Sequence, residues 1–223
     1  MSGLILAVDT ALGACSAAIC AGSTVLAYRF EAMERGHAEA LAPMVETVMA
    51  EAKLDFAALA RLAVTVGPGT FTGQRVGLAF MRALRLALER PLIGVSSLAV
   101  MTRAACEETG LAQAVALHDA RREEVYLQSQ KPGDSSSEPQ LVGFAAAMDV
   151  LRRLQTPFAL AGTAAPRALA ELGTAANWAH LSSIRAPDAR FVAQLASQME
   201  PSTMPVRPLY LRPADARLPG QAP

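Results

Sequence analysis

The chain is poor in the residues that staple or metallate a small protein. Three cysteines, Cys15, Cys20 and Cys106, are scattered over 223 residues with no C-x-x-C pair. That excludes a disulfide framework and argues against a structural zinc site. Free thiols fit a reducing cytoplasm, the expected location. Net charge is also lacking, with 20 Lys and Arg against 20 Asp and Glu. A balanced chain has no general excess of cations to exchange for nucleic-acid counterions, so RNA contact is expected only through a larger assembly. No stretch reaches 18 uncharged apolar residues, so no membrane span is expected. The opening MSGLILAVDT has no basic n-region and does not read as a signal peptide. His37, His118 and His180 never pair as H-x-x-x-H or H-E-x-x-H. Ser96, Ser97, Cys15 and Cys106 lie outside G-x-S-x-G or any other activating context, and the two cysteines read as small core residues. Metal-dependent hydrolysis and nucleophilic catalysis therefore lack an evident residue set. No internal repeat appears at solenoid periods.

What is present is core. Hydrophobic residues make up 52% and charged residues 18%, enough apolar material to bury an interior. Residues 3–9, 14–20 and 24–31 read as three antiparallel strands, with Gly22-Ser23 as a hairpin turn. Residues 36–52 read as a helix with Leu41, Met44, Val45, Val48 and Met49 on one stripe. A strand over 62–66, a helix over 72–89, a strand over 92–95 and a helix over 98–108 capped by Ser96-Ser97 follow. The order β-β-β-α-β-α-β-α is that of ribonuclease-H-like and actin-like lobes, by fold analogy. The second half reads as less regular. Strands are expected over 113–118, 124–129 and 157–161, and helices near 143–154, 165–172 and 188–199. A lobe boundary is expected near Gly110, giving lobes 1–109 and 110–215 and a tail over 216–223.

The segment GPGTFTG (67–73) is the most informative. Glycines between a buried strand and a helix imply unusual backbone angles or close approach. Gly67, Gly69, Thr70, Thr72 and Gly73 form either a phosphate cradle at a helix N-terminus or a tight turn capped by a threonine. No lysine follows, so it is not a Walker A loop. Asp9 and Thr10 close the first strand and are either phosphate-positioning residues or an Asx turn. His37 reads as a hydrogen-bonding residue near a helix start. The charged turn Asp119, Arg121, Arg122, Glu123 is either a partner contact or a solvated turn. The two long helices, apolar over more than one face and carrying Met44, Met49 and Met81, either pack only on the sheet or offer an adaptable surface to a partner.

At these segments the chain resembles the TsaB (YeaZ) family, the dimerisation subunits of the bacterial tRNA threonylcarbamoyladenosine machinery. The resemblance rests on ILAVDTALGACSAAI (5–19), GHAEALAPMVETVM (36–49), LAVTVGPGTFTGQRVGLAF (62–80), PLIGVSSL (91–98), LHDARREEVY (117–126) and PLYLRPADA (208–216). It implies an α/β, two-lobe ASKHA (actin-like ATPase, ribonuclease-H-like) fold with mixed sheets. It implies a non-catalytic subunit that pairs with the catalytic paralogue TsaD, joined by TsaE, and that pairs with its own copy when alone. It implies no cofactor for the isolated chain, with ATP or ADP at the TsaD interface, and tRNA contact through the complex only. Its pairing helices correspond to Met44 and Val48 on the first helix and Val76, Gly77, Phe80 and Met81 on the second. Gly77→Arg is accordingly expected to weaken pairing without unfolding the chain. The family's first loop often reads D-T-S-T, whereas this chain has Asp9-Thr10-Ala11-Leu12; with fewer hydroxyls, phosphate binding by this lobe is disfavoured. The competing class is a stand-alone actin-like ATP-binding enzyme, an ATPase or kinase, using Asp9 and the GPGTFTG loop.

Overall fold

A computed structural model describes residues 3–133, 136–154, 156–173 and 177–212. The tail expected over 216–223 lies outside the described residues.

Two five-stranded mixed sheets are built in the same way. The first takes β1 (Leu4–Asp9), β2 (Ala14–Ala21), β3 (Thr24–Ala32), β4 (Arg61–Gly67) and β5 (Leu92–Ser96) in the order β3-β2-β1-β4-β5. The second takes β6 (Ala114–Asp119), β7 (Glu124–Gln130), β8 (Gln140–Gly143), β9 (Phe158–Ala161) and β10 (Ala179–Leu181) in the order β8-β7-β6-β9-β10. In each, two antiparallel pairs lead into two parallel ones. Three helices are threaded through each half at equivalent points. They are α1 (His37–Ala52), α2 (Phe71–Leu88) and α3 (Ser97–Thr109) in the first, and α4 (Phe144–Arg153), α5 (Ala165–Leu172) and α6 (Ala189–Ser197) in the second. The second half is thus as regular as the first, a correction to the sequence reading, and the two lobes repeat one topology without a visible sequence repeat.

The continuous apolar run of β1 follows from burial on both faces. Leu6 and Val8 point to the side covered by α1 and α2, while Ile5 and Ala7 point to the side covered by α6. In β6 the same alternation recurs. Val115 and Leu117 face the cluster built with α4 and α5, and Ala114 and Ala116 face α3. The last helices are exchanged between lobes: α3 packs on β6, β7 and β9, and α6 packs on β1 and β2. A chain cut at Gly110 separates the sheets but not these helices. Residues expected in the second lobe continue past α6 as a strap along the first. Val206 lies against Gly94 and Val66, and the Leu209 N–H donates to the Val66 carbonyl at 2.7 Å. Arg212 then pairs with Glu124 of β7, so the strap touches both lobes.

Candidate functional site

The phosphate-loop candidates do converge. The turn after β1 and the loop between β4 and α2 meet at the first turn of α2. There is no gap for a ligand between them, because backbone fills the space. A Cβ on Gly69 would lie 2.3 Å from the Ala11 carbonyl oxygen, and one on Gly73 would lie 2.2 Å from that of Thr10. These glycines let two pieces of chain touch. The Thr70 N–H donates to the Ala11 carbonyl at 2.9 Å, and the Thr70 hydroxyl caps α2 by accepting from Gly73 N–H at 3.0 Å. The buried Thr10 hydroxyl donates to the Gly73 carbonyl at 2.7 Å and accepts from Gly77 N–H at 3.0 Å. Thr72 is exposed on the first turn of α2. Gly67, with φ of +105°, is covered by the buried Gln74 side chain, a residue the sequence reading passed over.

Asp9 is fully buried. Its Oδ1 accepts from Ala11 N–H at 3.1 Å and from the Thr65 hydroxyl, while its Oδ2 has no partner among the described residues. Burial pushes its carboxyl up from 3.8 to about 7, against the pull of those two hydrogen bonds. A phosphate does not fit this arrangement. The hydroxyls are already committed to backbone groups, and the one carboxylate would add a like charge. The turn geometry is therefore the observed role of this cluster.

The other candidate residues separate. His37 Nε2 bonds the Leu12 carbonyl at 3.0 Å, tying the start of α1 to the β1–β2 turn. Burial pushes the Cys15 thiol up to about 12 and the Cys20 thiol to about 11, away from nucleophilic thiolates. Ser96 caps α3 as expected. The charged turn is backbone-strained: Arg121, Arg122 and Glu123 all have positive φ, and Glu123 forms a two-point ion pair with Arg167. Among the described residues no group of three His, Cys, Asp or Glu is placed to hold a metal ion. No helix there is long and apolar enough to cross a membrane.

The helix pair requires a correction. Met44, Val48, Gly77 and Met81 are buried in the chain's own core. The stripe Leu41, Met44, Val45, Val48, Met49 faces the first sheet, and Gly77 sits against Thr10 and Val64. A side chain at Gly77 would collide with the Thr10 hydroxyl at 2.6 Å, so Gly77→Arg would break the α2 anchor rather than spare the fold. Of the six expected contact residues, Val76 and Phe80 remain half-buried. The outward face of the pair is instead Ala42, Pro43 and Ala50 on α1 and Ala79, Ala83 and Leu86 on α2, with Leu86 76% exposed. Small residues at i and i+4 were visible in the sequence as Ala79, Ala83 and Ala87, which is the signal that could have found this ridge. Beside it, Phe71 stacks on Tyr210 of the strap at 5.7 Å, with the Arg75 guanidinium 3.4 Å above the Phe71 ring.

Comparison with known proteins bears on this geometry. Residues 31–149, from the end of β3 into α4, match the family described as TsaD: tRNA N6-adenosine threonylcarbamoyltransferase. The chain is 40% identical over 122 residues to the tRNA threonylcarbamoyladenosine biosynthesis protein TsaB of Escherichia coli, covering 55% of this chain and 52% of that protein. The match thus spans about half the length of that relative. An uncharacterized protein of Mycobacterium tuberculosis is 35% identical over 215 residues, covering 96% of this chain and 93% of its own length. A crystal structure of a Pseudomonas aeruginosa protein, described as similar to peptidase YEAZ, superposes with a TM-score of 0.78 at 28% identity. That superposition covers 94% of this chain and all of that one. The two-lobe α/β fold is actin-like.

Proposed function

Because the chain belongs to the family described as TsaD: tRNA N6-adenosine threonylcarbamoyltransferase, and within it sides with the TsaB/YeaZ proteins, we propose that it serves tRNA threonylcarbamoyladenosine biosynthesis as a non-catalytic docking subunit. It acts in the cytoplasm, holds the catalytic paralogue TsaD with TsaE, and meets tRNA through that assembly. The observation that carries the reading is the outward α1/α2 face. A ridge of Ala42, Ala79 and Ala83, flanked by Val76, Phe80 and Leu86, lets a second helix pair approach closely, and the inward sides of both helices are already satisfied by the sheet. A specific interface needs about 1,200–2,000 Å² in total, within reach of two helices of 16 and 18 residues on each partner.

The reading gives this chain no chemical step. A stand-alone ATPase would need Asp9 and Thr10 free to meet phosphate and metal, whereas both are enclosed and Thr10 holds α2. Any ATP or ADP at the interface is held by the partner's residues. The test is reconstitution: threonylcarbamoyl transfer to tRNA by TsaD and TsaE, with and without this chain. Transfer that depends on the chain is the expected result, and transfer indifferent to it refutes the reading. Tight ATP binding with turnover by the isolated chain, seen by calorimetry, would establish the enzyme instead.

A further inference from the structure

The two docking helices are segregated by charge. Helix α1 carries three acids, Glu39, Glu46 and Glu51, and no lysine or arginine; α2 carries Arg75, Arg82 and Arg85 and no acid. All six are exposed. Glu51 is engaged by Arg29 of β3. Among the described residues, Glu39, Glu46 and the three arginines have no ion-pair partner, so their charges are uncompensated across a broad face. Two of the arginines are pre-positioned by neutral groups of the strap. Arg75 Nε donates to the Tyr210 hydroxyl at 2.8 Å, and Arg82 donates to the Val206 carbonyl. Such contacts hold the arms in place while leaving their charge unpaired.

A face that is acidic along one helix and basic along its neighbour is complementary to itself in one orientation only. Two copies stacked face to face about a two-fold axis across the helices would lay α1 on α1 and α2 on α2, like charge on like. An axis along the helices lays α1 of each copy on α2 of the other, and every charge meets its opposite twice. Accepting the docking reading of this face, we propose that two copies of the chain pair through it with α1 over the partner's α2. Glu39 and Glu46 then face Arg75, Arg82 and Arg85 and set the register, while the alanine ridge supplies close contact at the centre. The charges select this arrangement by repelling the other.

Charge reversal and light scattering test it. The parent chain is expected at twice its 23.4 kDa mass at micromolar concentration and low salt. Its pairing should weaken as salt rises from about 0.05 to 0.5 M. Glu39→Arg/Glu46→Arg and Arg82→Glu/Arg85→Glu should each weaken self-pairing roughly tenfold or more, since each altered contact occurs twice. Mixed in equal amounts, the two variants should pair with each other as the parent does. Should the first variant melt early, through loss of Glu39 at the start of α1, Glu46→Arg alone gives the same reading. Self-pairing of the acid-reversed variant as tight as the parent's would overturn the proposed axis, because α1-on-α1 stacking is indifferent to that change. A parent that stays monomeric at low salt would overturn the proposal. If that monomer still binds TsaD, the docking function stands; if it does not, both fall.

Discussion

The two lobes share strand order, helix placement and even the turn that closes the first strand, yet they use them differently. In the first lobe Asp9 accepts from the N–H two residues on, and a left-handed glycine, Gly67, ends β4 nearby. In the second, Asp119 accepts from Arg121 N–H in the same way, and the left-handed Gly162 follows β9, 2.1 Å from the Leu117 carbonyl were it given a Cβ. The first turn is sealed: Asp9 and Thr10 are buried and clamp a helix of 18 residues. The second is open, with Asp119 exposed and a helix of 8 residues beyond it. One frame thus yields a long, anchored platform on one side and short covering helices on the other. The anchor is what allows α2 to present an outward face without shifting.

The sharpest way to break this contrast is pH. The fold favours the protonated Asp9 carboxyl, since burial raises it from 3.8 to about 7. This contribution is fully present below pH 3.8 and is lost as pH rises to about 7. Asp9→Asn removes the titration. The stability of that variant relative to the parent should rise by up to roughly 4 kcal/mol between acidic and mildly basic pH, read from urea midpoints. A flat difference would show that Asp9 is not sealed. Gly73→Ala, driven into the Thr10 carbonyl, should cost roughly 3 kcal/mol. Gly143→Ala at the start of α4, where no atom lies within 4 Å, should change stability by less than about 0.5 kcal/mol. Thr10→Val should cost about 2 kcal/mol by stranding buried backbone groups of α2. Its second-lobe counterpart Thr163→Val, which loses one exposed hydrogen bond to Asp119 N–H, should cost less than about 1 kcal/mol. The smallest effect expected is at the exposed Arg167–Glu123 pair, where Arg167→Ala should leave the thermal midpoint unmoved within error.

Much of the fold was legible from residues alone, for identifiable reasons. The strands of the first sheet are runs such as LILAVD, and α1 shows its stripe at helical spacing, so both announce themselves. The strands β8 (QLVG) and β10 (AHL) were missed, because four and three residues at sheet edges carry no periodicity. The duplication was invisible because the lobes share topology and the alternation of large and small residues rather than letters. The GPGTFTG loop was rightly singled out, but its glycines serve contact with Thr10 and Ala11, which are 56 or more residues away and appear only once β1 and β4 pair. The partner surface was placed on the wrong side of the right helices. Met44 and Val48 belong to the same apolar stripe as Leu41 and Val45, and one stripe cannot face both the sheet and a partner.

The central claim is that the outward α1/α2 ridge is a docking surface, and the most direct measurement is binding of TsaD to an Ala79→Arg chain. Ala79 is exposed, so the variant should melt with the parent. The account predicts that it no longer co-elutes with TsaD and no longer supports threonylcarbamoyl transfer. A folded Ala79→Arg chain that binds TsaD as tightly as the parent would contradict it.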